Sequence, residues 1–313
     1  MNIASTVVMV RPASFGYNSM TEGSNMFQQY DEDWSMEDVQ QKAVEEFDHA
    51  VATLTEVGIN VLVYDDLPFP HKPDAVFPNN WFCTLPDGTI AVFPMFAPNR
   101  SDEKRNDILE DLSVRFNVTD VEDWSEYEAE GFFLESTGSM VFDFKNSIIY
   151  ACLSPRTHIA VLEKFASAHG FKAFTFSATD HNSIPIYHTN VVMSIADEYA
   201  IICEEVVRDE NELIGLKQLL ITTGHEIISI TEEQMKCFAG NTLQLQNDKG
   251  KKYLVLSKQA TDCLTDEQNA ALKKFNALLS INISTIEKVG GGSIRCMMAD
   301  IHLPKKQREQ QEN

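Results

Sequence analysis

The chain has 313 residues and a formal charge of −22, from 25 Lys and Arg against 47 Asp and Glu. Its 43 % hydrophobic and 10 % aromatic residues are globular values that exclude a disordered chain. A surface this acidic repels phosphates, which argues against nucleic acid and anionic membrane and leaves a small molecule as the expected partner.

In chain order, Ser35 and Asp38 form a capping pair ahead of a helix to Val57. Val39, Ala43, Phe47, Ala50, Leu54 and Val57 share one face of it, and Gly58 ends it. A strand follows over Ile59–Tyr64. Next come a hairpin (Trp81–Leu85 and Thr89–Pro94), a helix over Asp102–Val114 and a strand over Asn117–Val121. The pattern recurs with Ser139–Phe142 and Ser147–Cys152, a helix from Ser154 with Pro155 at its first position to Gly170, and Phe171–Phe176. It recurs with Val191–Ile195 and Tyr199–Cys203, a helix over Arg208–Thr223, and Glu226–Ile230. The last copy has Thr242–Leu245 and Lys252–Leu256, a helix from the Thr265/Gln268 capping box to Leu279, and Ile281–Ile286.

Strand, strand, helix, strand is therefore a repeat. Ser139, Asn190, Asn241 and Gly292 stand at or just before hairpin starts and follow one another at intervals of 51, with Asn80 lying 59 before Ser139. The last hairpin lacks a second strand, and Thr6–Val10 is a strand without a partner. Pairing them closes five modules into a ring and removes the exposed edges. The expected layout is one α/β domain over residues 1–306 and a disordered tail over 307–313.

No run approaches the ~20 apolar residues of a membrane span. The first residues lack a basic segment before an apolar core. Six scattered cysteines without a C-x-x-C read as reduced thiols, so a cytoplasmic location is expected. Oligomeric state is not legible.

In a ring of modules the hairpin starts converge on the axis. Those positions carry Asn79 and Asn80, Glu135, His188 with Asn190, Asn241, and Gly290-Gly291-Gly292 followed by Arg295 and Cys296. A cysteine, a histidine and a carboxylate at equivalent places make a nucleophile, a base and a binder. Most cysteines are inert buried thiols. The glycine run sets Cys296 apart, because it lets backbone approach a ligand closely. Arg295 or a cationic substrate is placed to lower the thiol's pKa. His188 is a proton shuttle suited to neutral pH. Glu135 follows an apolar triplet and needs a partner, and a planar guanidinium or ureido group supplies one. His225-Glu226 is not H-E-x-x-H, no cysteine pair has zinc spacing, and no phosphate loop is present, so no metal or cofactor is expected.

These motifs resemble the guanidino-group-modifying enzymes of the pentein superfamily, which includes arginine deiminases, dimethylarginine hydrolases and amidinotransferases. Phe77-Pro-Asn-Asn80, Leu134-Glu135-Ser-Thr-Gly-Ser139, His188-Thr-Asn190, Gly240-Asn241-Thr-Leu-Gln-Leu245 and Gly290-Gly-Gly-Ser-Ile-Arg-Cys296 carry the resemblance over residues 6–303. The opening Val10-Arg-Pro-Ala, Phe77–Phe82 and residues 20–27 look closest to the branch of citrulline-utilisation hydrolases, also described as amidinotransferases.

The resemblance implies a five-bladed α/β propeller and no cofactor. It implies that Cys296 attacks the central carbon, that His188 protonates the departing amine and then activates water, and that Glu135 holds the planar nitrogens. Asn79, Asn80, Asn190, Asn241, Arg295 and Phe77 are then the expected substrate contacts. Deiminases carry aspartates where this chain has Asn80 (or Asn79) and Asn190. Charged hydrogen bonds are worth about 1.5–3 kcal/mol each, so their loss disfavours a guanidinium and favours neutral citrulline, unless Glu22 or Asp74 restores the charge. An amidinotransferase, an arginine deiminase or dimethylarginine hydrolase, and a catalytically silent binding protein on the same scaffold are the alternatives.

Overall fold

The computed structural model describes residues 3–29 and 34–306; the expected tail over 307–313 lies outside them. The strands are β1 Thr6–Arg11, β2 Asn60–Asp65, β3 Phe82–Thr84, β4 Thr89–Val92, β5 Asp120–Asp123, β6 Val141–Asp143, β7 Ile148–Cys152 and β8 Lys172–Phe176. They continue with β9 Met193–Ile195, β10 Tyr199–Cys203, β11 Glu226–Ile230, β12 Leu243–Gln246, β13 Lys252–Ser257, β14 Ala277–Ile281 and β15 Ala299–Asp300. They form five three-stranded sheets, ordered β3-β4-β5, β6-β7-β8, β9-β10-β11 and β12-β13-β14, with β15-β1-β2 as the fifth. In each, the middle strand pairs antiparallel on one side and parallel on the other, across a helix. β1 takes β15 from the far end of the chain as its antiparallel neighbour, with Val7 opposite Asp300. The orphan strand and the incomplete hairpin thus complete each other.

Side-chain and backbone hydrogen bonds join neighbouring modules. Thr84 donates to the Asp300 carbonyl (3.2 Å), Asn79 to Thr137 (3.1 Å), and Asn146 to the Thr223 carbonyl (3.4 Å). The Asp197 N–H donates to Gln244 (2.9 Å), and the Gln246 N–H returns to the Ala4 carbonyl (3.0 Å). This last bond joins the β12-β13-β14 sheet to the β15-β1-β2 sheet and so closes the ring. The middle strands are wholly buried, as in β7 and β10, because helix covers one face and the neighbouring sheets the other.

The first helix, Met36–Glu56, starts at the predicted Ser35 cap and buries the predicted face. Several expectations shift, among them the helix expected over Asp102–Val114, which is Asn106–Arg115, and the strand expected over Asn117–Val121, which is Asp120–Asp123. The third helix starts at Ile159, because Ser154–Thr157 closes into a turn with a Thr157 N–H to Ser154 carbonyl bond (3.0 Å). The fifth helix stops at Lys273, and its strand is Ala277–Ile281. Residues 284–290, expected partly as strand, form a helix whose first N–H groups donate to the Glu46 carboxylate. Finally, Asn80, Ser139 and Asn190 sit in single helical turns ahead of their strands. Those turns pack on one another, which brings their side chains together.

Candidate active site

Cys296 lies in a run of turns after the glycines, its N–H bonded to the Ser293 carbonyl (2.9 Å). The glycines are needed for space. A Cβ on Gly290 or Gly292 would meet the Phe77 ring at 2.9 Å, and Gly291 is left-handed at φ 63°. Phe77, an expected substrate contact, therefore also packs under the loop that carries Cys296. Asn241 Nδ2 lies 3.4 Å from Cys296 Sγ and Asn190 Nδ2 lies 3.8 Å from it. Burial pushes the thiol up, opposed by the Ser293 contact and Asn241.

His188 Nε2 meets Glu135 Oε2 at 2.7 Å. A carboxylate only accepts, so Nε2 carries the proton and Nδ1 is free as a base. Burial lowers His188 to about 4 against the pull of Glu135, so the imidazole rests neutral. Burial alone would raise Glu135, but Arg156, His188 and Arg100 together hold it well below the carboxylate range.

Glu135 corrects the role implied by resemblance. Its Oε1 takes the Phe96 N–H (3.0 Å), and Oε2 faces His188 with Arg156 Nη1 at 3.5 Å. The carboxylate is spent on orienting the imidazole and does not border the cavity beside the thiol. That cavity is lined by Asp74, Asn80, Arg100, Arg156, His188 and Cys296 among others.

Of the two neighbouring asparagines, Asn80 faces this space. Asn79 is turned into the protein, where it is paired with Thr137. Arg295 also departs from expectation. Its guanidinium turns to Asp300 (2.9 Å) and the Met298 carbonyl (2.7 Å), so it reaches Cys296 through its charge alone.

Arg100 and Arg156 escaped the sequence reading. Arg100 is clamped by Glu103 through two bonds (2.8 and 3.0 Å) and donates to Asn80 Oδ1 (3.0 Å). Arg156 donates to Ser24 (2.7 Å) and lies over the Tyr187 ring at 4.8 Å, with its Nε unpartnered. Asp74, held by Asn18 (2.7 Å), keeps one oxygen unpartnered. Burial raises it, with Arg100 opposing. The Tyr187 hydroxyl donates to the Gly291 carbonyl (2.6 Å) and Asn25 to the Gly290 carbonyl (3.2 Å), tying the loop before Cys296 in place. Among the described residues, no group of three or more His, Cys, Asp or Glu is placed to hold a metal.

Gly138 lies against the base. A Cβ there would sit 2.5 Å from Asn80 Nδ2 and 2.7 Å from His188 Cε1. Gly138→Ala is expected to lower kcat about 100-fold by displacing both groups, a cost typical of an ångström-scale misplacement. Steady-state kinetics beside a melting curve checks it; unchanged kcat at native Tm would refute the placement.

The family model described as "N,N dimethylarginine dimethylhydrolase, eukaryotic" matches residues 11–303. The chain belongs to this family. It thereby sits among the guanidino-modifying enzymes of the pentein superfamily. Solved structures give the same fold. The substrate-bound N-terminal domain of ArgZ, a cyanobacterial arginine dihydrolase, superposes with a TM-score of 0.71 at 14 % identity, covering 95 % of this chain and 99 % of that one. AgrE in complex with L-arginine gives 0.74 at 16 % identity, over 97 % of this chain but 41 % of AgrE. The Pseudomonas aeruginosa dimethylargininase-family structure DDAH, complexed with citrulline, gives 0.64 at 16 %, covering 95 % and 99 %. No curated protein sequence matches the chain. No helix of the described residues is long and apolar enough to cross a membrane.

Proposed function

We propose that this chain is a cysteine hydrolase of the ureido or guanidino C–N bond in an arginine-type amino acid, with citrulline as the preferred substrate. His188 Nδ1 takes the Cys296 proton, and the thiolate attacks the ureido carbon. The C–N bond breaks, and the departing amine leaves with that proton. Water then attacks the resulting S-carbamoyl-type intermediate, giving its own proton to His188. The thiol re-forms, and the carbamate released breaks down to ammonia and carbon dioxide. Asp74 and Arg156 offer one negative and one positive partner to a zwitterionic amino-acid head.

One observation carries the choice of substrate. Arg100 is only a donor, so it fixes the Asn80 amide with its oxygen toward the guanidinium. The Asn80 Nδ2 is left buried without an acceptor, and Asn190 Oδ1 without a donor. A ureido oxygen satisfies Asn80, which lines the cavity; Asn190 does not line it. A guanidinium has no acceptor and leaves Asn80 unpaired, at a cost of about 1–3 kcal/mol. Arginine is the second reading, favoured by the unpartnered Asp74 oxygen, which can take a cation.

Release of ammonia, methylamine or dimethylamine from citrulline, arginine, methylated arginines and agmatine tests this with wild type and Cys296→Ala in parallel. Citrulline turnover that vanishes in the variant is expected. Asn80→Asp is expected to shift kcat/KM toward arginine by about tenfold or more, the worth of one charged hydrogen bond. Activity confined to arginine would retain the thiol chemistry and select the second reading. Absence of both ammonia and methylamines with every substrate would overturn hydrolysis and leave transfer to an amine.

A further inference from the structure

Away from the site around Cys296, two thiols stand on neighbouring helix ends. Cys237 caps the helix Glu232–Lys236, and Cys263 ends the helix Lys258–Cys263. Gln234 fastens the two helices, donating to the Cys263 carbonyl (2.9 Å) and to Gln268 (2.7 Å). The Gln234 carbonyl accepts from the Cys237 N–H (3.1 Å) and lies 3.9 Å from the Cys263 sulfur, and both cysteines are half-buried, whereas Cys83, Cys152 and Cys203 are buried.

The segment after Cys237 leads straight to the nucleophile. Phe238 stands at φ 60°, a conformation that non-glycine residues hold only under constraint, and packs on Phe27 at 5.1 Å. At Gly240 a Cβ would meet the Val191 carbonyl oxygen at 2.4 Å, so the backbone there has no slack. Asn241 follows, with its amide on Cys296 Sγ.

We propose that Cys237 and Cys263 form a redox modification site that takes two-electron oxidants of the peroxide class, and that the disulfide slows turnover by displacing Asn241. The effect on turnover rests on Cys296 being the nucleophile; the disulfide does not. Burial pushes the Cys263 thiol up, which suits it to act as the resolving thiol to Cys237. The Cys237 sulfur breaks the O–O bond of hydrogen peroxide, becoming a sulfenic acid and releasing one water. The Cys263 sulfur then attacks the sulfenic sulfur, and the S–O bond breaks. The hydroxide leaves as a second water with the Cys263 proton. Both sulfurs are oxidised and the peroxide is reduced. An S–S bond near 2.05 Å requires the two helix ends to shift until the sulfurs come into covalent contact. The rigid stretch from Phe238 to Gly240 passes that movement to Asn241.

The test treats the full chain and its Cys296→Ala variant with hydrogen peroxide, then alkylates and digests both. A linked Cys237–Cys263 peptide is expected in each, independent of catalysis. Wild-type turnover is expected to fall about tenfold and to return with dithiothreitol, as a small displacement of a nucleophile's neighbour implies. Cys263→Ser and Cys263→Ala are both expected to keep their turnover under the same dose. Freely alkylated Cys237 and Cys263 after treatment would overturn the site. Equal loss in the Cys263 variants would overturn the coupling and assign the damage to Cys296.

Discussion

Cys296→Ala is expected to lower turnover about ten-thousand-fold or more while leaving the fold intact, the scale seen when a covalent nucleophile is removed. The other cavity-lining groups are poor substitutes. Asn80 is an amide, Arg100 and Arg156 are cations, and Asp74 is held by Asn18. Water attacking directly would still have His188, but it would have no thiol to divide the reaction into two easier steps. Cys296 is 3 % exposed and loses only a sulfur, so the stability cost is about 1 kcal/mol, the usual size for a point substitution. The resting site holds a neutral imidazole, lowered to about 4, beside a thiol that burial pushes up. The thiolate is therefore made on demand, and alkylation of the free enzyme by iodoacetamide is expected to accelerate as pH rises. Initial rates and a melting curve decide the first point. Residual activity above a few per cent of wild type at unchanged Tm would remove Cys296 from the mechanism.

The repeat was legible because it is written in local chemistry. Caps such as Ser35 and Thr265 and the turn at Pro86-Asp87-Gly88 act within a few residues, and they place elements to within a turn. Cys296, His188, Glu135, Asn80, Asn190 and Asn241 were found because they occupy equivalent places in successive modules, and folding brings those places to one centre. Arg100 and Arg156 have no such address. They come from the connections between a module's middle strand and its helix, and arginine is ordinarily an exposed residue. Their burial requires carboxylates from elsewhere, namely Glu103, Asp74 and Glu135. Glu103 itself was hidden in an acidic run that reads as a solvated face. Burial pushes it up to about 7 even though Arg100 pulls the other way. The shift in the role of Glu135 has the same root. A sequence shows that a buried carboxylate needs a partner, but not that His188 and two arginines have already taken it.

Glu135→Gln is the substitution expected to damage both stability and catalysis. The wild-type carboxylate is fully buried, 2.7 Å from His188 Nε2, 3.5 Å from Arg156 Nη1 and 3.9 Å from Arg100 Nη1. Glutamine keeps the shape and an acceptor for the Phe96 N–H, but it leaves Arg156 without that counter-charge. Breaking a buried ion pair from one side costs about 3–5 kcal/mol. In turnover, the imidazolium formed when His188 takes the Cys296 proton loses its stabilising anion, and the ring loses its fixed tautomer. A loss of about 10³–10⁴ in kcat is the expected scale for such an orienting carboxylate. Acid titration separates the charge from the shape. The native carboxyl titrates below its ordinary value of 4.5, so its stabilisation is complete above that pH and is lost as pH falls further. Below pH 4.5 the wild type should therefore lose up to about 1.4 kcal/mol per pH unit from this group, a slope absent from Glu135→Gln. Urea unfolding of both proteins between pH 5 and pH 3 measures it. Parallel curves would show that Glu135 carries no net charge in the native site, and the imidazole would then be held by shape alone.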